Sequence, residues 1–139
     1  MTASISPERA AHLAERFRTM ARAWEAKDWR TCADLFLPDG VLHSVMLEPV
    51  VGREAIYQRM VGRAAPNKEV RLHIRRIGVV EDALFVERED EIILDGVSRS
   101  APAMGVLTFE GSHIRLWREY YDRAQLMHAA GHGPAPATP

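Results

Sequence analysis

The chain has 139 residues, 47% of them hydrophobic and 27% charged, and a net charge of −1. That length favours one domain with a core around a small cavity, and it leaves no room for a cofactor domain beside a substrate domain. No basic excess exists for a phosphate backbone, no apolar run reaches membrane-spanning length, and the opening MTASISPERAA has no signal-peptide core, so nucleic acid and membranes are not expected as partners and the expected location is cytoplasmic.

The first helix follows from local chemistry. Ser6 can cap it, Pro7 suits its first turn, and Glu8 favours its positive end. Leu13, Phe17, Met20 and Trp24 recur at helical spacing and predict a core-facing stripe. Asp28 can cap a second short helix running through Leu35 and Phe36, with Pro38-Asp39-Gly40 as its stop. Cys32, the sole cysteine, lies in that helix and is read as a buried structural thiol.

A strand is expected over Val41–Leu47, ended by Glu48 and Pro49. Gly52 then leads into a helix from Arg53 to about Arg63, and Ala64–Lys68 is a linker. From Glu69 onward the pattern predicts strands over 70–80, 83–94, 97–109 and 113–122. Asp95-Gly96 and Glu110-Gly111 are tight-turn signals between them. Helices first and an antiparallel meander afterwards define an α+β class. One domain is expected over 1–128, with a small-residue, Pro-rich tail over 129–139.

Strand parity supplies the sharpest functional signal. In ALFVEREDEIIL, Glu87, Glu89 and Glu91 share one face, and Leu84, Val86, Arg88, Asp90, Ile92 and Leu94 share the other. The acidic face is the solvent face, so Arg88 and Asp90 point to the apolar side. Burying two charges is costly unless they pair and find further partners. In HIRLWREYYD, Trp117, Glu119 and Tyr121 share one face, while Arg118, Tyr120 and Asp122 share the other. Parity leaves both faces open as the inner one, and the aromatic pair beside Glu119 favours that face over the one carrying Asp122. If Glu119 meets Arg88, one guanidinium bridges two carboxylates. One of them can then act as a general base and the other as a general acid, with no metal or nucleophile.

The other candidates point to structure. The six histidines show no metal-ligand spacing. His43 lies on the first strand, opposite in parity to Leu42, Ser44 and Met46. Arg71, Arg75 and Arg76 read as a solvated face, as does His73 among them. No G-x-S-x-G, G-x-G-x-x-G or P-loop occurs, which disfavours Ser-His-Asp hydrolysis and nucleotide chemistry.

The layout of helices followed by a long meander resembles the nuclear transport factor 2-like superfamily, which includes ketosteroid isomerase and SnoaL-like cyclases. The stretches PVVGREAI, VERED, MGVLTFEG and LWREYYD most resemble limonene-1,2-epoxide hydrolase. The resemblance runs from the FLPDG segment to WREYYD. It implies N-terminal helices packed in the concave face of a strongly curved, mostly antiparallel sheet, a cone-shaped α+β barrel. It also implies a homodimer and no cofactor.

By this resemblance Asp90 corresponds to the acid that protonates the epoxide oxygen, Arg88 to the bridging guanidinium and Glu119 to the base. The family has Asp where Glu119 stands, so the arm is one methylene longer here. The family holds its nucleophilic water with a Tyr and an Asn on the first strand, where this chain has Leu42 and Ser44. Ser44 can still hydrogen-bond a water, and Leu42 cannot. Leu35, Leu42, Met46, Ile92, Met104 and Trp117 are the expected pocket lining, around a small apolar substrate. The function implied is opening of an epoxide by water in one step. The alternatives are a SnoaL-like isomerase, cyclase or dehydratase using the same three groups, and a non-catalytic small-molecule binder.

Overall fold

The computed structural model describes residues 5–133. Helix α1 (Pro7–Glu25) is followed by α2 (Trp29–Asp34), strand β1 (Phe36–Ser44), a two-residue strand β2 (Val50–Val51) and α3 (Arg53–Arg63). Strands β3 (Lys68–Val80), β4 (Ala83–Leu94), β5 (Val97–Glu110) and β6 (His113–Tyr121) come next, and α4 (Arg123–Ala129) ends the described chain. The six strands form one sheet in the order β2-β1-β6-β5-β4-β3. Every pairing is antiparallel except that of β1 with β6. The sheet is curved and does not close, and the α+β class expected from the element order is the one observed.

The caps act as their chemistry predicts. The Ser6 side chain accepts the Arg9 backbone N–H, and Asp28 accepts that of Thr31. The buried face of α1 carries Leu13, Phe17 and Met20, and packs against β3 and β4. Phe17 meets Trp117 edge to face at 5.5 Å, and Phe36 stacks on the same indole at 6.2 Å. These rings join the helices to the inner face of the sheet.

Three expectations are corrected. The second helix ends at Asp34, and Phe36 already belongs to β1. Pro38-Asp39-Gly40 is therefore not a turn but a bulged stretch of β1, where the register against β6 slips between Phe36 and Val41. Gly40 is needed there, because a Cβ would lie 2.9 Å from the Ile114 carbonyl oxygen. The first strand stops at Ser44 rather than Leu47, since the Leu47 N–H turns back to the Ser44 carbonyl. Finally, the chain beyond 128 is not all tail. Asp122 caps α4, and Ala129 is buried against Ile92 and Ala101. The rest of that expected tail, 134–139, lies outside the described residues.

No helix among the described residues is long and apolar enough to cross a membrane. Cys32 is fully buried, and burial pushes its thiol up to about 12, with the charge of Asp28 adding to the effect. A neutral, enclosed thiol is a poor nucleophile. Native protein at pH 8 should therefore resist an aromatic disulfide reagent and react fully once unfolded in urea. Equal labelling rates in the two states would contradict this packing.

Candidate active site

Arg88 stands on β4, where the inward stripe Leu84, Val86, Arg88 continues the core, and the residue is buried to 3% exposure. All three of its guanidinium nitrogens donate to two carboxylates. Nε and Nη2 donate to Asp90 at 3.0 and 2.9 Å. Nη1 and Nη2 donate to Glu119 on β6 at 2.8 and 2.6 Å. Trp117 Nε1 adds a further donor to Glu119 Oε1. Asp90 is on the same face as Arg88 because the strand period is two. Glu119 reaches both across β5, which lies between β4 and β6.

The arrangement meets the demand that burial imposes. Desolvation lowers the Arg88 pKa, but the charges and hydrogen bonds of Glu119 and Asp90 outweigh it and hold the guanidinium above its ordinary range. The Phe17 and Trp117 rings each lie 5.7 Å from the guanidinium carbon. No buried side-chain polar atom among the described residues lacks a partner. The space for the cluster is made by Gly105 on β5, which pairs with Val86 on one side and Glu119 on the other. A Cβ there would come 2.8 Å from Trp117 Nε1, 2.9 Å from Glu119 Oε1 and 3.0 Å from Arg88 Nη1.

The three charged groups line a cavity of about 210 Å³. Of the expected lining, Leu42, Ile92 and Trp117 are on its wall, as is Ser44. Leu35, Met46 and Met104 are not. Leu35 is packed in the core beside Phe36. Met46 lies past the end of β1 and is 40% exposed. Met104 shares the outer face of β5 with Pro102, and lines a shallow surface depression with Tyr120. Asp122 caps α4, so the inner face of β6 is that of Trp117, Glu119 and Tyr121. His43 bonds the Leu47 carbonyl and is not among the residues that line the cavity.

Sequence reasoning did not assign Tyr121 a site contact. Its hydroxyl donates to Ser44 Oγ at 3.0 Å. Ser44 is the register partner of Glu119 in the parallel β1–β6 ladder, so the Ser–Tyr pair lies beside that carboxylate. Parity with Glu119 was the signal that could have found it. Trp24, Trp29, Met60 and Leu126 were also missed as wall residues, because no local pattern shows which helix covers a pocket. No group of three or more His, Cys, Asp or Glu among the described residues is arranged to hold a metal ion.

Solved structures share this fold. An M. tuberculosis LEH-like epoxide hydrolase is 22% identical, with a TM-score of 0.75 over 88% of this chain and 91% of that one. A hypothetical protein of ketosteroid isomerase-like fold from Catenulispora acidiphila DSM 44928, in complex with trimethylamine, is 23% identical, with a TM-score of 0.75 over 90% and 98%. ActVI-ORFA from Streptomyces coelicolor is 14% identical, with a TM-score of 0.66 over 81% and 96%. The class of protein is thus the NTF2-like, ketosteroid isomerase-like fold. No curated protein matches the chain. The model of the limonene-1,2-epoxide hydrolase catalytic domain matches residues 11–131, and the chain belongs to that family.

Gly105 is the position most sensitive to a minimal change. Gly105→Ala should displace the Arg88–Glu119 pair and cost about 1–3 kcal/mol by overpacking. Urea unfolding measures it, and a wild-type midpoint would show that the cluster yields without strain.

Proposed function

We propose that the chain is a cofactor-independent epoxide hydrolase that opens a small, mostly apolar epoxide by one-step general acid/base attack of water. The observation that carries this reading is one buried guanidinium bonded to two carboxylates in the wall of a mainly apolar cavity. With both carboxylates ionised, the buried cluster would hold one uncompensated negative charge. The proposed mechanism assigns the pair a single proton, carried by Asp90, and leaves Glu119 as the base.

Glu119 is the base. Its Oε1 accepts from both Arg88 and Trp117, but Oε2 accepts only Arg88 Nη2, which leaves a lone pair for the proton of a water. Ser44 Oγ, already accepting from Tyr121, keeps a second lone pair for the other hydrogen of that water. The water oxygen then attacks a ring carbon, its proton passes to Glu119, the carbon–oxygen bond of the epoxide breaks, and Asp90 gives its proton to the leaving oxygen. The product is a vicinal diol, and no electrons leave the system. Arg88 holds both carboxylates and redistributes charge between them as the proton moves.

A SnoaL-like isomerase, cyclase or dehydratase is the second reading, and Leu42 favours it. This apolar side chain stands on the cavity wall where the resemblance places half of the water-holding pair. The same carboxylates would then move a proton within one substrate. A homodimer belongs to the proposal by family resemblance, and a cytoplasmic location by the expectation from the sequence.

Turnover of a panel of cyclic epoxides in oxygen-18 water should give singly labelled diol, and a panel without labelled diol refutes hydrolysis. Asp90→Asn and Glu119→Gln should each lower kcat by about 10²–10⁴-fold. Activity that survives both changes refutes the acid/base pair. Tyr121→Phe should lower kcat about tenfold through the loss of one hydrogen bond at the water site. An unchanged kcat there would remove the Ser44–Tyr121 pair from the mechanism.

A further inference from the structure

The cavity has a second charged end. Lys68 opens β3 two residues earlier than the strand pattern predicts, and it does so at an inward position. Lys68, Val70 and Leu72 alternate along the cavity wall, whereas Glu69 and Arg71 are exposed and lie 3.9 Å from each other. A lysine on an apolar stripe poses the same question as Arg88 on the neighbouring strand. Arg88 finds two carboxylates. Lys68 is half-buried and, among the described residues, finds only the Arg63 carbonyl, at 3.4 Å.

Three more cations share this rim. Lys27, just past the end of α1 with a left-handed φ of 59°, donates to the Ala65 carbonyl at 3.3 Å. Arg59 and Arg63 line the cavity from the last turns of α3. None of the four takes part in an ion pair among the described residues. Among the described residues and outside the Arg88 cluster, the one carboxylate on the wall is Glu48, which is exposed on the segment between β1 and β2. Burial and the charge of Arg63 together lower the Lys68 pKa, the direction expected for an ammonium with no anion beside it.

The ladder sets the spacing of the two ends. Leu72 pairs with Asp90, and Lys68 pairs with Leu94. Four residues of strand separate those levels, about 13 Å at ~3.3 Å per residue. Between them Val70 pairs with Ile92, and both line the cavity.

We propose that Lys68 and Lys27 form an anion subsite, and that the substrate is an amphipathic molecule with a free carboxylate at this rim, an apolar body along Val70 and Ile92, and its reactive group at Asp90 and Glu119. The identity of that reactive group rests on the epoxide hydrolase reading. The anion subsite rests on the rim alone, and it can be tested without turnover.

Trp24, Trp29 and Trp117 line the cavity, so their fluorescence reports binding. The probes are octanoate and 1-octanol. The alcohol is the more apolar of the two, so tighter binding of the acid runs against hydrophobicity. Wild type should bind octanoate about tenfold more tightly than 1-octanol, the worth of one charge-assisted hydrogen bond, and lose that preference as salt rises. Lys68→Gln should erase the preference and leave 1-octanol affinity unchanged, and Lys68→Arg should retain it. Equal affinity of wild type for the two probes, no octanoate binding, or a Lys68→Gln variant that keeps the preference or weakens both probes alike each overturns the subsite. Preference for octanoate in a protein that forms no labelled diol sinks the hydrolase reading alone. Equal hydrolysis of an epoxy acid and its methyl ester, with KM unmoved by Lys68→Gln, sinks the anion subsite alone.

Discussion

The buried guanidinium of Arg88 is the constraint around which the sheet is organised. A cation held at 3% exposure is tolerated only with full pairing, and all three donor nitrogens of this one are engaged by Asp90 and Glu119. That requirement reaches several elements. It needs the strand period that carries Asp90 to the same face, and the β4-β5-β6 order that brings Glu119 within reach. It also needs a residue without a side chain on the strand between them, which is Gly105. Trp117 then anchors the cluster to α1 and β1 by giving its N–H to Glu119, meeting Phe17 edge to face and stacking on Phe36. An apolar core of the same volume can be as stable, because desolvating charges offsets most of their attraction. Such a cluster in a cavity wall is therefore better explained by chemistry than by stability.

The same constraint explains what was legible in the sequence. The alternation of Glu87, Glu89 and Glu91 against Leu84, Val86 and Ile92 oriented β4 without any further knowledge, and it put Arg88 and Asp90 inside. Parity also grouped Trp117, Glu119 and Tyr121 on β6. What parity does not carry is contact between elements that are remote in the chain. Leu35, Met46 and Met104 are apolar and near the site in sequence, yet one is in the core, one lies beyond the end of its strand and one is on the outer face. Hydrophobicity marks burial and says nothing of which side of a wall a residue lines. The bulge at Pro38-Asp39-Gly40 looked like a turn because turns and bulges draw on the same residues. Helix α4 has seven residues, and its cap, Asp122, continues the β6 alternation, so its start was hidden in a strand pattern.

In the proposed mechanism the longer base and the altered water site are linked. Where the family has Asp, Glu119 carries an extra methylene, and a displaced base loses much of its advantage. Here the carboxylate receives three donors, two from Arg88 and one from Trp117, so its added rotamer freedom is removed by bonds that an apolar neighbour could not supply. Its reach into the cavity brings it beside Ser44, its register partner on β1. With Leu42 unable to bond a water, the polar support for one in the proposed mechanism would come from Ser44 and, through the 3.0 Å bond, from Tyr121 on β6 itself. In the proposed mechanism, base and water support would thus move as a unit onto one strand. Glu119 and Tyr121 are two residues apart on one face, and the parallel partner strand supplies a single hydroxyl. A strand holds i and i+2 side chains in fixed relation more firmly than two separate elements can. On that reading a site with no phenol on the first strand could still position a water, because a phenol stands on the strand that carries the proposed base.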